Sequence, residues 1–269
     1  MALILFTDVL AFSSPIVFPW MRNGEIDSVA SRIPVPGGFQ RETVPVKSFK
    51  NWLRHLPLKK RNSAVYLYNG EKKSNQSAHY SVIDMDVGDR DLQQCADAII
   101  RLRAEYLYST GNFRAIHFKF TSGHNASFKK WMEGYRPIIK GNKVKWRKKA
   151  KRDSSHAGLG KYLQTVFMYA GSYSLSRELR PAAVKEMQIG DVFIKGGFPG
   201  HAVIVVDMAV NRKSGKKLFI LAQSYMPAQD MHILRNPENR KLSPWYQIDF
   251  GPKLRTPEWV FERNQLRRF

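Results

Sequence analysis

The sequence predicts an α+β fold: a helix packed on an antiparallel sheet, with further helices inserted around it. Three observations carry this. Residues 91–108 place Leu92, Cys95, Ala96, Ile99 and Ile100 on one apolar stripe at helical spacing. GDVFIK (190–195), HAVIVVDMAV (201–210) and KLFILAQSY (217–225) have the composition of strands, and NRKSGK joins the last two as a hairpin. Helical patterns come first along the chain and strand patterns last, as in α+β proteins rather than alternating βαβ units.

The first 14 residues, MALILFTDVLAFSS, are apolar with small residues near Ala11 and Ser13, like the end of an export signal. No basic residue precedes the run, and Asp8 interrupts it. Residues 1–30 are therefore set apart as a signal remnant or disordered segment, the alternative being an apolar tail docked on the core. Residues 31–269 are expected to form a single α+β domain. RIPVPGGFQR (32–41) is extended, punctuated by Pro and Gly. SFKNWLRHL (48–56) spaces Phe49, Trp52, Leu53 and Leu56 helically and is stopped by Pro57. AVYLY (64–68) before Asn-Gly reads as a strand and turn. In YSVIDMDV (80–87), Ile83, Met85 and Val87 alternate with Val82, Asp84 and Asp86, and Gly88 ends the strand. AIHFKF (115–120) turns Ile116, Phe118 and Phe120 inward. GLGKYLQTVFMYAG (158–171) returns to helix, and MHIL and WYQIDF are short strands.

Six Trp, sixteen Phe and eleven Tyr argue for a packed core. One cysteine excludes an intrachain disulfide and any cysteine-cluster zinc site. The formal charge of +22 favours polyanions: nucleic acid, anionic lipid or acidic cell-wall polymers. No RRM, KH or helix-turn-helix signature is present, so specific nucleic-acid binding is not expected. Neither Walker A, H-E-x-x-H nor G-x-S-x-G occurs, and no cofactor is expected. Asp84, Asp86, Asp89 and Asp91 suggest a cation loop. Counted from Asp84, however, the fifth position is Gly88 and the sixth Asp89, against the EF-hand requirement. No metal site is assigned. Asp91 reads as a helix N-cap, with Gln94 completing a capping box.

With Asp91 as cap, Cys95 falls in the first helical turn, where unpaired N–H groups and the helix dipole favour a thiolate. The nearby aspartates oppose that charge. A small Cys also fits the apolar stripe as ordinary packing. His201 heads a strand after Gly200, and its imidazole can take a thiol proton near neutral pH. As an imidazolium it would supply the cation that Cys95 lacks.

A Cys at a helix start, then a Gly-Asp strand, then a Gly-His strand, over about residues 91–225, resembles the papain-like thiol hydrolases, especially the NlpC/P60 and CHAP cell-wall amidases. The resemblance implies a papain-like fold that cleaves amides in peptides or peptidoglycan stems. Cys95 would be the nucleophile and His201 the general base. Ala96-Asp97 stands where those enzymes usually have a Ser-Gly pair or similar context, and the 106 residues from Cys95 to His201 are a long interval. The orienting residue would be Gln223 or Asp230. A hairpin register about Ser214 sets Gln223 beside the middle of the His201 strand and suits Gln229 or Asp230 better. Gln93 or Gln94, with the Cys95 N–H, would serve the oxyanion; each also reads as solvated helix surface. From about Arg32 to Phe269, LQQCADAIIRLRAEYLY, GYRP, LAQSYMPAQDMHIL, SPWYQIDF and LRTPEWVF are similar to the bacterial domain-of-unknown-function family 4846. That likeness implies one compact domain, often in exported or lipid-anchored proteins, and no activity. An extracytoplasmic location, at the cell envelope or in the periplasm, is expected.

Residues 138–158 read as an exposed basic loop, with eight cations between Lys140 and Arg152. Lys145, Trp146, Arg147, Lys148, Lys149, Lys151 and Arg152 are its polyanion-binding candidates, since cations interleaved with an aromatic ring can hold an anionic polymer or membrane surface. A solvated face is the plainer reading. The alternative to an enzyme is thus a non-catalytic domain of degenerate papain-like fold that docks on such a surface.

Overall fold

The computed structural model describes residues 16–21 and 27–269. Its helices are α1 (Val29–Arg32), α2 (Phe49–Arg54), α3 (Cys95–Ser109), α4 (Phe128–Met132), α5 (His156–Tyr169) and α6 (Ser172–Glu178). Strands β1 (Gln40–Arg41) and β2 (His79–Val82) precede two hairpins, β3 (His117–Lys119) with β4 (Asn125–Ser127) and β5 (Tyr135–Lys140) with β6 (Lys143–Lys148). Next come β7 (Arg180–Pro181), β8 (Val192–Lys195), β9 (His201–Val210), β10 (Lys217–Gln223), β11 (His232–Leu234) and β12 (Trp245–Gln247). A third hairpin, β13 (Lys253–Arg255) with β14 (Val260–Glu262), leads to β15 (Leu266–Arg268). The main sheet has nine antiparallel strands in the order β2-β11-β10-β9-β8-β15-β7, with β1 added to β9 and β12 to β10. The chain is a mixed α+β protein built mostly of antiparallel sheet.

The centre of the sheet follows from composition. β9 is a nearly unbroken apolar run, buried from His201 to Ala209, as expected of a strand covered on both faces. α3 packs on β9 and β10 with Ile99, Ile100 and Leu102 fully buried, and α2 packs on β9. Phe193, Phe219, Tyr246, Phe250 and Phe261 form a ring cluster with centroids 5.5–6.4 Å apart. Near the end of β9, the fully buried Asp207 accepts from Arg41 Nε at 2.7 Å, Arg54 Nε at 2.6 Å and its neighbour's amide at 2.8 Å.

The β9–β10 ladder slips by one residue midway. Lys217 faces Val210 and Ile220 faces Asp207, but Leu221 faces Val205, so Val206 is an extra residue bulged out of β9. Ala222 then faces Ile204.

Several expectations are corrected. α3 starts at Cys95 rather than Asp91. Asp91 is drawn away from capping: its Oδ1 accepts from the Ala228 amide at 2.7 Å and from Gln94 Nε2 at 2.9 Å. Gln94 is the cap residue, and Asp97 Oδ2 reaches back to its N–H at 3.2 Å. The helix ends in a Schellman turn, with Gly111 at φ 70° and the Asn112 amide on the Leu107 carbonyl. Residues 64–68 make only isolated bridges, Tyr66 with Lys72 and Leu67 with Gln229. Most of the expected basic loop at 138–158 is the β5–β6 hairpin. Its alternation of Lys143, Lys145 and Arg147, all exposed, with the half-buried Val144 and Trp146 is the strand period that the charge run concealed.

Described residues before the proposed boundary at residue 30 pack on the core. Phe18 is buried, its ring 5.0 Å from Trp52, while Trp52 Nε1 donates to the Val17 carbonyl and Trp20 Nε1 to that of Asp84. The apolar run at 1–14, where the signal reading falls, lies outside the described residues. No helix among the described residues is long and apolar enough to cross a membrane.

Candidate active site

Two turns deliver the site. The first is the α3 N-terminus, where the extended backbone of Gln94 (φ −84°, ψ −164°) gives way to helix at Cys95. Cys95 is half-buried, and the amides of the first turn lack intrahelical partners. The second is the β8–β9 connection, Gly196–Gly200. At Gly200 a Cβ would lie 2.2 Å from Ser172 Oγ and 2.5 Å from the Gly197 carbonyl, so only glycine fits before His201. The Gly-Asp half of the motif is structural. Gly190 adopts φ 94° against Phe49, and the buried Asp191 clamps Arg268 at 2.6 and 2.7 Å.

Cys95 and His201 line one open cleft of about 650 Å³, together with Asp97, Phe198, Tyr225, Met226 and Trp259. The Ala202 amide lies close enough to the Cys95 sulfur to stabilise a thiolate, which sets the thiol beside the head of β9. No side-chain hydrogen bond joins Cys95 to His201 among the described residues. The imidazole is 2% exposed and walled by rings: Tyr225 at 4.6 Å, Trp259 at 5.2 Å and Phe261 stacked at 5.8 Å. Its Nε2 sits 2.8 Å from Gln223 Oε1.

The bulge at Val206 explains that last contact. Continued unbroken from Lys217–Val210, the ladder would pair Gln223 with Ile204 and turn its side chain away from the His201 face. Carried on from Ala222–Ile204, the slipped register sets Gln223 opposite Val203, on the face it shares diagonally with His201. A symmetric count about Ser214 could not anticipate this.

Burial keeps both groups neutral. It pushes the Cys95 thiol up to about 11, and the Asp97 carboxylate adds to the rise against the favourable amides of Ala96 and Ala202. It pulls the His201 imidazole down to about 4, Lys73 adding repulsion against the Gln223 hydrogen bond. The imidazolium expected beside Cys95 is therefore not the resting state.

The other expected residues lie elsewhere. Asp230 is corrected: it pairs with Lys59 Nζ at 2.8 Å and accepts from the Tyr66 amide at 3.1 Å, so it does not orient His201. Gln229 is buried, its carbonyl accepting from Ser224 Oγ. Gln93 is corrected as an oxyanion donor, because its carboxamide donates to the Asp86 carbonyl and accepts from Arg101. Gln94 stays on the cleft rim, with its Nε2 held by Asp91. Lys145, Trp146, Arg147 and Lys148 belong to β6, and Lys149, Lys151 and Arg152 follow it. The Trp146 ring turns inward, donating to His124 Nε2 at 2.8 Å rather than standing free to stack.

Sequence reasoning missed Tyr225, Trp259, His232 and Glu258. Gln223 Nε2 donates to Glu258 Oε2 at 2.9 Å and lies 3.4 Å from His232 Nε2. Glu258 Oε1 in turn holds Lys73 Nζ and Asn75 Nδ2. The available signal was the PEWVF stretch, too far along the chain to be linked to Cys95 by spacing.

The chain belongs to the family described as "Domain of unknown function (4846)", whose model matches residues 29–268. No curated protein and no solved structure matches it.

Proposed function

We propose that this member of the family is a papain-like thiol hydrolase that cleaves an amide in a peptide or peptidoglycan-type substrate. One observation carries the reading: His201 Nε2 is held by Gln223 Oε1 at 2.8 Å while the ring shares a cleft with the helix-terminal Cys95. This is the nucleophile, base and orienter logic of covalent amide hydrolysis. Cys95 sulfur attacks the carbonyl carbon as its proton passes to His201 Nδ1. The Cys95 amide at the helix end takes the developing oxyanion. The C–N bond breaks, His201 returns the proton to the leaving amine, and a water activated by the same imidazole cleaves the thioester. Because both groups rest neutral, proton transfer accompanies attack rather than preceding it. The apolar rim of Phe198, which is 91% exposed, and Met226 supports a substrate with apolar groups flanking the amide.

The test is the iodoacetamide alkylation rate of Cys95 against pH, in wild type and His201→Ala. An active pair reacts at pH 7–8, below the thiol's own range, and His201→Ala slows it about 100-fold. A rate that climbs only towards pH 11, alike in both proteins, overturns the reading.

A second reading rests on the hairpin. Lys143, Lys145 and Arg147 project from one face of β6, and among the described residues they form no ion pair. A non-catalytic domain would dock this ribbon on an anionic envelope polymer. Binding to polyphosphate would then fall steeply between 50 and 200 mM salt, by ~10²-fold or more, and be untouched by Cys95→Ala. Salt-insensitive binding removes that reading.

A further inference from the structure

We infer that Glu258 is a positioning residue that, through Gln223, holds the His201 imidazole in the tautomer whose lone pair lies on Nδ1. The inference rests on the Cys95–His201 reading and deepens it. A carboxylate oxygen only accepts, so the atom of Gln223 facing Glu258 Oε2 at 2.9 Å must be its NH2 group. His232 favours the same orientation through a longer contact. Its Nδ1 donates to the Asp230 carbonyl at 2.9 Å, which leaves Nε2 as an acceptor 3.4 Å from Gln223 Nε2. Burial lowers the His232 imidazole to about 3, so it stays neutral and keeps that lone pair. Both amide hydrogens of Gln223 are then committed, and its Oε1 must face His201. His201 Nε2 has to donate across the 2.8 Å contact. A neutral imidazole carries one N–H, so Nδ1 is left bare.

The arrangement is locked. Gln223 and His232 are fully buried, and the aromatic walls around His201 prevent the ring from turning over. Glu258 is fixed from behind by Lys73 and Asn75, both donors to Oε1.

That last pair makes an isosteric variant decisive. In Glu258→Gln, Lys73 and Asn75 keep the new carbonyl oxygen on their side, which points the new NH2 group at Gln223. Two NH2 groups cannot face each other at 2.9 Å, so Gln223 flips, giving up the longer 3.4 Å contact to His232 Nε2, and presents NH2 to His201. The imidazole then carries its proton on Nδ1 and cannot accept one from Cys95. The exchanged pair Gln223→Glu with Glu258→Gln restores an acceptor opposite His201 Nε2.

The experiment is two-bond ¹H–¹⁵N NMR of the histidine rings, with His201 signals assigned by their loss in His201→Ala, alongside alkylation of Cys95 at pH 7.5. Wild type shows the Nε2–H tautomer. Glu258→Gln shows Nδ1–H with alkylation slowed about 100-fold, and the exchanged pair regains Nε2–H. An unchanged tautomer in Glu258→Gln, or no recovery on exchange, overturns the inference. A tautomer switch with Cys95 indifferent to His201→Ala sinks the hydrolase reading and leaves the positioning role standing.

Discussion

The two ends of β9 bury polar clusters of opposite kinds. Near the C-terminal end, Asp207 meets Arg41, Arg54 and a backbone amide, and both carboxylate oxygens are used within the protein. At the N-terminal end, His201 spends one nitrogen on Gln223, and the other has no hydrogen-bond partner among the described residues, on a ring that lines the cleft. The difference separates a polar group kept for architecture from one that the proposed hydrolase would use for chemistry. Burial alone does not, since both residues are almost wholly enclosed. What marks the second is a ring nitrogen left free on the cleft while Gln223 and Glu258 behind it are paired.

The largest effect that would sharpen the contrast is at Asp207. Asp207→Ala leaves the buried Arg54 without its countercharge and should cost about 3–5 kcal/mol in urea unfolding. The surviving folded protein should still show His201-dependent alkylation of Cys95. A loss of that dependence would mean that the two ends of the strand act as one unit. A second effect comes from acid. His201 and His232 have folded values lowered to about 4 and about 3, against about 6.5 in the unfolded chain. The unfolded state therefore binds more protons between those limits, and stability falls as pH drops from about 6.5 towards 3. His201 alone accounts for at most about 3 kcal/mol of that fall. Urea midpoints measured across that range should show the decline, and His201→Gln should flatten the part above pH 4. A flat profile in wild type would show that the imidazoles are not held neutral.

How much of this was readable beforehand varies by element. The core of the sheet was, because HAVIVVDMAV and KLFILAQ are long apolar runs with a turn between them. Cys95 and His201 were, because a residue at the first turn of a helix and another at the head of a strand are local features. Gln223 was visible as a candidate, but its face was not. One bulged residue reverses that face, and nothing in the run of β-branched residues around Val206 announces it. Asp91 was misread because its type suits a cap, whereas its actual partner, the Ala228 amide, comes 137 residues later. The basic hairpin was hidden because charge dominated a segment whose alternation was present all along. Glu258 and His232 were beyond reach, since their meaning lies wholly in which atoms they face.

The slip in the β9–β10 ladder also bears on how such a site could arise or vanish. Deleting Val206 would close the bulge without moving the register: Leu221 still faces Val205, Ala222 still faces Ile204, and Gln223 stays on the His201 face. A longer strand with its bulge and a shorter one without it therefore present the same side chains to the cleft, whereas an added residue that no bulge absorbs would turn the strand's leading half over and part the histidine from its glutamine. Relatives that keep these residues should be compared on strand register before they are compared on strand length.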